Sequence, residues 1–104
     1  MQQKEGKKND RVDDKTRWEL IPLDCLEDLA RVYTEGAKKY GVNNWQNLTD
    51  GYERYKGAML RHLYAHESGE IFDKETGCRH LAQVMWNACA LLWYSKHKEY
   101  GNKN

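Results

Sequence analysis

The sequence predicts an all-α, three-helix domain. Apolar residues recur three and four positions apart in three separate stretches, the one proline, Pro22, stands immediately before the first stretch, and no segment alternates as a half-buried strand does. A chain of 104 residues makes one domain.

Pro22 is suited to a helix start, and Leu23, Leu26, Leu29, Ala30, Tyr33 and Ala37 follow at helical spacing, which predicts a helix over Leu23–Lys39. Gly41 is placed to close it in a left-handed conformation. Gly36, inside the pattern, costs about 1 kcal/mol relative to Ala; a neighbouring backbone in close approach would account for it, and so would chance. Val42–Asp50 reads as a loop, with Thr49 or Asp50 capping a second helix over Gly51–Ser68. Tyr52, Tyr55, Met59, Leu60, Leu63 and Tyr64 supply its apolar positions, and Gly69 ends it. Glu70–Gly77 is too short and too polar for a strand in a sheet. A third helix is expected from Thr76 or Cys78 to His97, burying Leu81, Val84, Met85, Ala88, Leu91 and Leu92, with Trp86 and Trp93 on a further stripe.

Residues 1–16 carry charge of both signs and almost nothing apolar, which predicts a mobile polar tail; a strand docked on a partner subunit is the alternative. Residues 17–98 form the expected domain, and 99–104 a frayed end. Three helices of this length make a small core. A third helix that is apolar on more than one face needs a cover, so a homo-oligomer is expected, in the first place a two-fold dimer completing a larger helical bundle.

Lys and Arg number 17 and Asp and Glu 16, so no overall field draws the chain to a nucleic-acid polymer or a membrane. No apolar stretch has the length of a signal peptide or a membrane span. Cys25, Cys78 and Cys89 are odd in number and lack C-x-x-C spacing, which fits neither a disulfide scaffold nor a cysteine zinc site. A cytoplasmic protein is expected, with Cys25 and Cys89 as free core thiols. Four Trp, seven Tyr and one Phe are a rich supply of rings, for a core or for stacking on a base.

Chemistry concentrates between Arg54 and Asn87. Arg54, Ala58, Arg61, His62 and Ala65 share a side of the second helix, where two guanidinium groups above small residues could grip a phosphate or stand as ordinary solvated arginines. His62, His66, Glu67, Glu70, Asp73, Glu75 and His80 follow closely. Imidazole with carboxylate suits Mn, Zn or Fe, and carboxylates alone suit Mg. Glu70 and Asp73 could chelate one cation if the backbone between them were helical; a salt-bridged loop, with Glu70 on Arg61 or Arg79, is the bland alternative. Asn87, a polar residue in an apolar run, could read a base edge, hold His62 or make an internal contact. Lys38 and Lys39 complement the first helix's C-terminus and could also meet phosphates, with Asn44 and Trp45 beyond them offering a polar edge and a ring.

Taken in order, Leu20-Ile21-Pro22, the run Gly36-Ala37-Lys38-Lys39-Tyr40-Gly41, Asn44-Trp45, Arg61-His62, Gly69-Glu70 with Asp73 and Thr76-Gly77, His80-Leu81-Ala82 and Trp86-Asn87-Ala88 resemble a phage-rich family, the dATP/dGTP diphosphohydrolase N-terminal domains. The likeness covers about residues 15–95. It implies a helical domain that handles purine deoxynucleotides, cleaving them to a monophosphate and pyrophosphate in the host cytoplasm, and it invites comparison with all-α MazG-like NTP pyrophosphatases. The residues it carries over are Lys39, Asn44, Trp45, Arg61, His62, Glu70, Asp73, His80 and Asn87. MazG-like enzymes hold Mg ions with two carboxylate pairs. Here Glu70 and Asp73 resemble one pair, while the second helix offers His62 and His66 instead. The expected hydrolase therefore places Mg or Mn on His62, Glu70, Asp73 and His80, uses Glu67, Glu70 and Asp73 as catalytic carboxylates, and binds the nucleotide through Lys38, Lys39, Asn44, Trp45, Arg54, Arg61 and Asn87. The alternative is a non-catalytic binder that sequesters a nucleotide immune signal, cyclic or derived from ADP-ribose. A helical adaptor with no small ligand is a third reading.

Overall fold

The computed structural model describes residues 14–98. The expected frayed end, and the expected mobile tail up to residue 13, lie outside the described residues. Three helices are present, α1 (Leu23–Tyr40), α2 (Gly51–Glu67) and α3 (His80–His97), with short 3-10 turns at Trp18–Leu20 and Asn44–Asn47. The described residues contain no strand beyond one isolated antiparallel bridge, Phe72 with Arg79. None of these helices is long and apolar enough to cross a membrane.

Local chemistry sets most boundaries as expected. Pro22 precedes α1 in an extended conformation. Gly41 closes α1 at φ 99°, its N–H reaching Ala37 O at 2.9 Å. Asp50 stands at the head of α2, but in the left-handed region and with no side-chain cap. Gly69, at φ 110°, turns the chain out of α2. A Cβ on Gly36 would meet nothing within 4 Å among the described residues, so close approach by one of them does not explain it. The start of α3 is later than expected, because residues 71–79 fold on themselves. Gly77 N–H bonds to Asp73 O at 2.8 Å, Asp73 N–H to Cys78 O at 2.8 Å and His80 N–H to Ile71 O at 2.9 Å. Those bonds satisfy the backbone without helix and hold Asp73 at the head of α3.

α2 and α3 pack antiparallel: Gly51 lies under the Tyr94 ring at one end, and His62 meets His80 at the other. α1 packs on a different flank of α3 and makes no close backbone approach to α2. Between them sits Trp45, its ring 5.6 Å from Trp86, 5.2 Å from Trp93 and 6.1 Å from Tyr33, so the Trp86–Trp93 stripe is real and packs inward. The Tyr94 hydroxyl donates to Trp45 O at 2.6 Å and accepts Leu48 N–H at 3.1 Å, pinning this turn to α3.

The buried stripe of α3 differs from the apolar one. Its buried residues are His80, Ala82, Gln83, Asn87, Ala90 and Tyr94, whereas Leu81, Ala88 and Leu92 are exposed. α2 approaches the side that carries the polar residues, because His80 and Tyr94 make the specific contacts that orient the pair; the leucines are left on a third side. Cys25, expected in the core, is exposed, and Cys78 is the buried thiol. Cys89 is half-buried and accepts a hydrogen bond from the Tyr33 hydroxyl at 3.1 Å.

Candidate functional site

Where the last turns of α2 meet the first turn of α3, His62, Asp73 and His80 converge. One ligand atom from each lies within 4.8 Å of the others. α2 supplies His62, the turn before α3 supplies Asp73, and His80 is the first residue of α3.

The imidazoles are oriented by their partners. His80 Nε2 lies 2.9 Å from Glu70 Oε1. A carboxylate only accepts, so this nitrogen carries the proton and donates. In the neutral ring Nδ1 is then an acceptor, and His62 Nδ1, 2.9 Å away, donates to it; a bound ion would take the place of that proton. Two nitrogens each about 2.1 Å from one ion and at right angles to it would stand ~3 Å apart, so the spacing fits two ligands of a common metal. Glu70 does for His80 what outer carboxylates do for metal-bound histidines: it fixes the tautomer and aims the ring. Burial is the leading influence on His62 and lowers its pKa, with Asp73 pulling the other way. That favours the neutral, ligating form.

Asp73 is held more firmly still. Burial tends to raise its pKa, but several hydrogen bonds outweigh that and lower it. Gln83 Nε2 donates to Oδ2 at 3.0 Å, Thr76 Oγ1 to Oδ2 at 3.2 Å and Glu75 N–H to Oδ1 at 3.1 Å. The carboxylate stays charged and cannot swing. Gln83 and Thr76 were missed as site residues. The signal was present for Gln83: with His80 and Asn87 it forms a polar stripe at helical spacing through an apolar run.

The other expected site residues fall into groups. Glu70 touches the site through His80 and also lies 3.7 Å from Lys74; the backbone between it and Asp73 is not helical, so the two do not form a helical chelating pair. Lys39 reaches the same turn, its Nζ 3.5 Å from Glu75 Oε2. Arg61 is exposed and folds back over Gly57, one face of α2 away from His62, and Arg54 is exposed two turns earlier on that flank. Lys38 pairs with Glu35 on its own helix. Glu67 pairs with His66 at the surface. Asn44 Nδ2 donates to Tyr40 O and finishes α1. Trp45 is packed among rings, and its buried Nε1 has no hydrogen-bond partner among the described residues. Asn87 Nδ2 donates to Gln83 O at 2.7 Å, an internal contact, and its buried Oδ1 has no partner among the described residues. A cavity of about 340 Å³ lined by Gln46, Leu48, Asp50, Tyr52, Tyr94 and Lys98 lies at the opposite end of α2, ~16 Å along the helix from His62.

Two imidazoles and one carboxylate are a donor set that could hold a divalent transition ion. No solved structure matches the chain. A dATP/dGTP diphosphohydrolase of Salmonella phage PMBT28 is 37% identical over 74 residues, which are 71% of this chain and 25% of that protein. The chain thus spans about a quarter of the length of that relative. The profile of the family described as dATP/dGTP diphosphohydrolase, N-terminal, matches residues 5–103, and the chain belongs to that family.

Proposed function

We propose that this chain binds purine deoxynucleoside triphosphates and, with a divalent metal, hydrolyses them to the monophosphate and pyrophosphate. The observation that carries the reading is the convergence of His62, Asp73 and His80, with Glu70 fixing the His80 tautomer. The relative's name supports the substrate class.

In this reading His62, Asp73 and His80 hold the ion, and their chemistry favours Mn over Mg, which prefers oxygen ligands. A metal bound there would supply Lewis acidity toward the phosphate oxygens. Gln83 and Thr76 keep Asp73 charged and aimed. Glu75, whose backbone N–H bonds to Asp73 and whose charge is felt at His62, would orient the water and take its proton. The water oxygen bonds to the α-phosphorus, the bridging bond to the β-phosphate breaks, and pyrophosphate leaves. Lys39, near Glu75, would offset the charge that develops on it, and Arg61 would do so only by swinging from Gly57 toward the cluster.

A second reading has its own support: the described cluster contains one carboxylate, Asp73, where two pairs hold Mg in MazG-like enzymes. A protein so equipped could retain a nucleotide without cleaving it. Incubation with dATP, dGTP and other nucleotides plus Mn or Mg, followed by mass spectrometry of free and protein-retained nucleotides, separates the two. Monophosphate and pyrophosphate in equal amounts, lost in Asp73→Ala, support hydrolysis. Intact nucleotide released only on heat denaturation supports sequestration, and neither outcome with any nucleotide leaves the chain a helical adaptor.

A further inference from the structure

We infer that the third side of α3, with the adjoining flank of α2, is a two-fold interface with a second copy of this chain. The helical period of α3 divides it into three sides. One faces α2 through His80, Gln83, Asn87, Ala90 and Tyr94. A second faces α1 and Trp45 through Trp86, Cys89 and Trp93. The third carries Leu81, Met85, Ala88 and Leu92, with Leu81 44% and Leu92 59% exposed. No described element covers it. α2 adds exposed apolar surface of its own, with Leu60 54% and Leu63 39% exposed.

The pattern suits a second copy in particular. A two-fold interface requires that if residue i meets residue j, j meets i. The stripe Leu81, Met85, Ala88, Leu92 has spacings of four, three and four, and so reads the same in both directions. Antiparallel pairing of α3 with its copy sets Leu81 against Leu92 and Met85 against Ala88, the large side chain against the small one at the centre. Charge agrees: the same reversal brings Lys96, at one end of the stripe, toward Glu67, at the other. Area agrees as well. Helices about 27 Å long and 9–10 Å apart present a two-helix face of roughly 500 Å² in projection, the same order as the ~800 Å² of accessible surface per partner in a stable complex. The isolated subunit also needs the cover, since Ala90, a single methyl, is 0% exposed and no large apolar side chain of the described residues is fully enclosed.

The test is sedimentation velocity and light scattering on the full chain, with disulfide trapping. The wild type should have twice the chain mass. Leu92→Glu should halve that mass, while Leu26→Glu, on the exposed start of α1, should leave it unchanged. The double variant L81C/L92C should form a covalent dimer on oxidation, where L81C alone does not; this arm stands even if Leu92→Glu fails to fold. A monomeric wild type overturns the inference, whether the face then belongs to another protein or to a segment of this chain. So does a dimer that Leu26→Glu dissociates and Leu92→Glu does not, or one that L81C/L92C fails to trap.

Discussion

Single residues fix the two ends of the α2–α3 pair. At one end, a Cβ on Gly51 would stand 2.5 Å from the Tyr94 ring, closer than real side chains come. The ring cannot withdraw, because its hydroxyl is tied to Trp45 and Leu48. Gly51→Ala should therefore destabilise the fold by about 1–3 kcal/mol, as overpacked sites do, read as a lower urea midpoint at unchanged slope; an unshifted midpoint would show that Tyr94 yields freely. At the other end, Glu70 acts through His80. Glu70→Ala should weaken Mn binding by about 10–100-fold, the range found for outer carboxylates of metal-bound histidines, with the helical circular dichroism kept. Calorimetry checks it, and unchanged affinity would remove Glu70 from the site. Gln83→Leu should weaken binding in the same direction by freeing Asp73, while leaving the histidine pair in place.

At the scale of elements, the Asn44–Asn47 turn acts as a plug rather than a connection. Trp45 fills the space beside α3 that α1 and α2 leave between them, and Tyr94 holds the turn by its backbone. Tyr94→Phe removes the hydroxyl and leaves Leu48 N–H without this partner. A cost of about 1–3 kcal/mol follows for a buried group left unpaired, together with altered tryptophan fluorescence as Trp45 loosens; an unchanged spectrum would mean that ring packing alone holds the turn. α3 carries three jobs on three sides, and this explains why its burial was misread from sequence. The rule that places leucines inside assumes one buried face, and it fails where a polar stripe is buried for its contacts and an apolar one is left open.

For the whole molecule, the phenols between the helices make stability sensitive to alkali. Burial, helped by the neighbouring Tyr94, pushes Tyr55 up from 10.0 to about 12. Tyr33 rises too, by burial and its bond to Cys89. A phenol whose pKa is raised by folding contributes stability that is fully present below its unfolded value and is lost as pH climbs toward the folded one. Unfolding free energy should thus hold up to pH 10 and fall between 10 and about 12. Tyr55→Phe should shallow that fall; a flat profile across the window would mean that the phenols are solvated. The amino-acid order alone determined the helices, their glycine stops and the family, because helical period, proline and glycine act on local backbone and ordered motifs can be read one after another. It also singled out the stretch from His62 to His80 as the candidate site. Only the tertiary structure decided that Asp73 joins His62 and His80 while Glu70 stands behind them, that Gln83 belongs to the site, that Trp45 packs as core, and which side of α3 is left open. Those outcomes depend on the antiparallel register of α2 and α3 and on a self-bonded turn, and neither is a property of any local stretch.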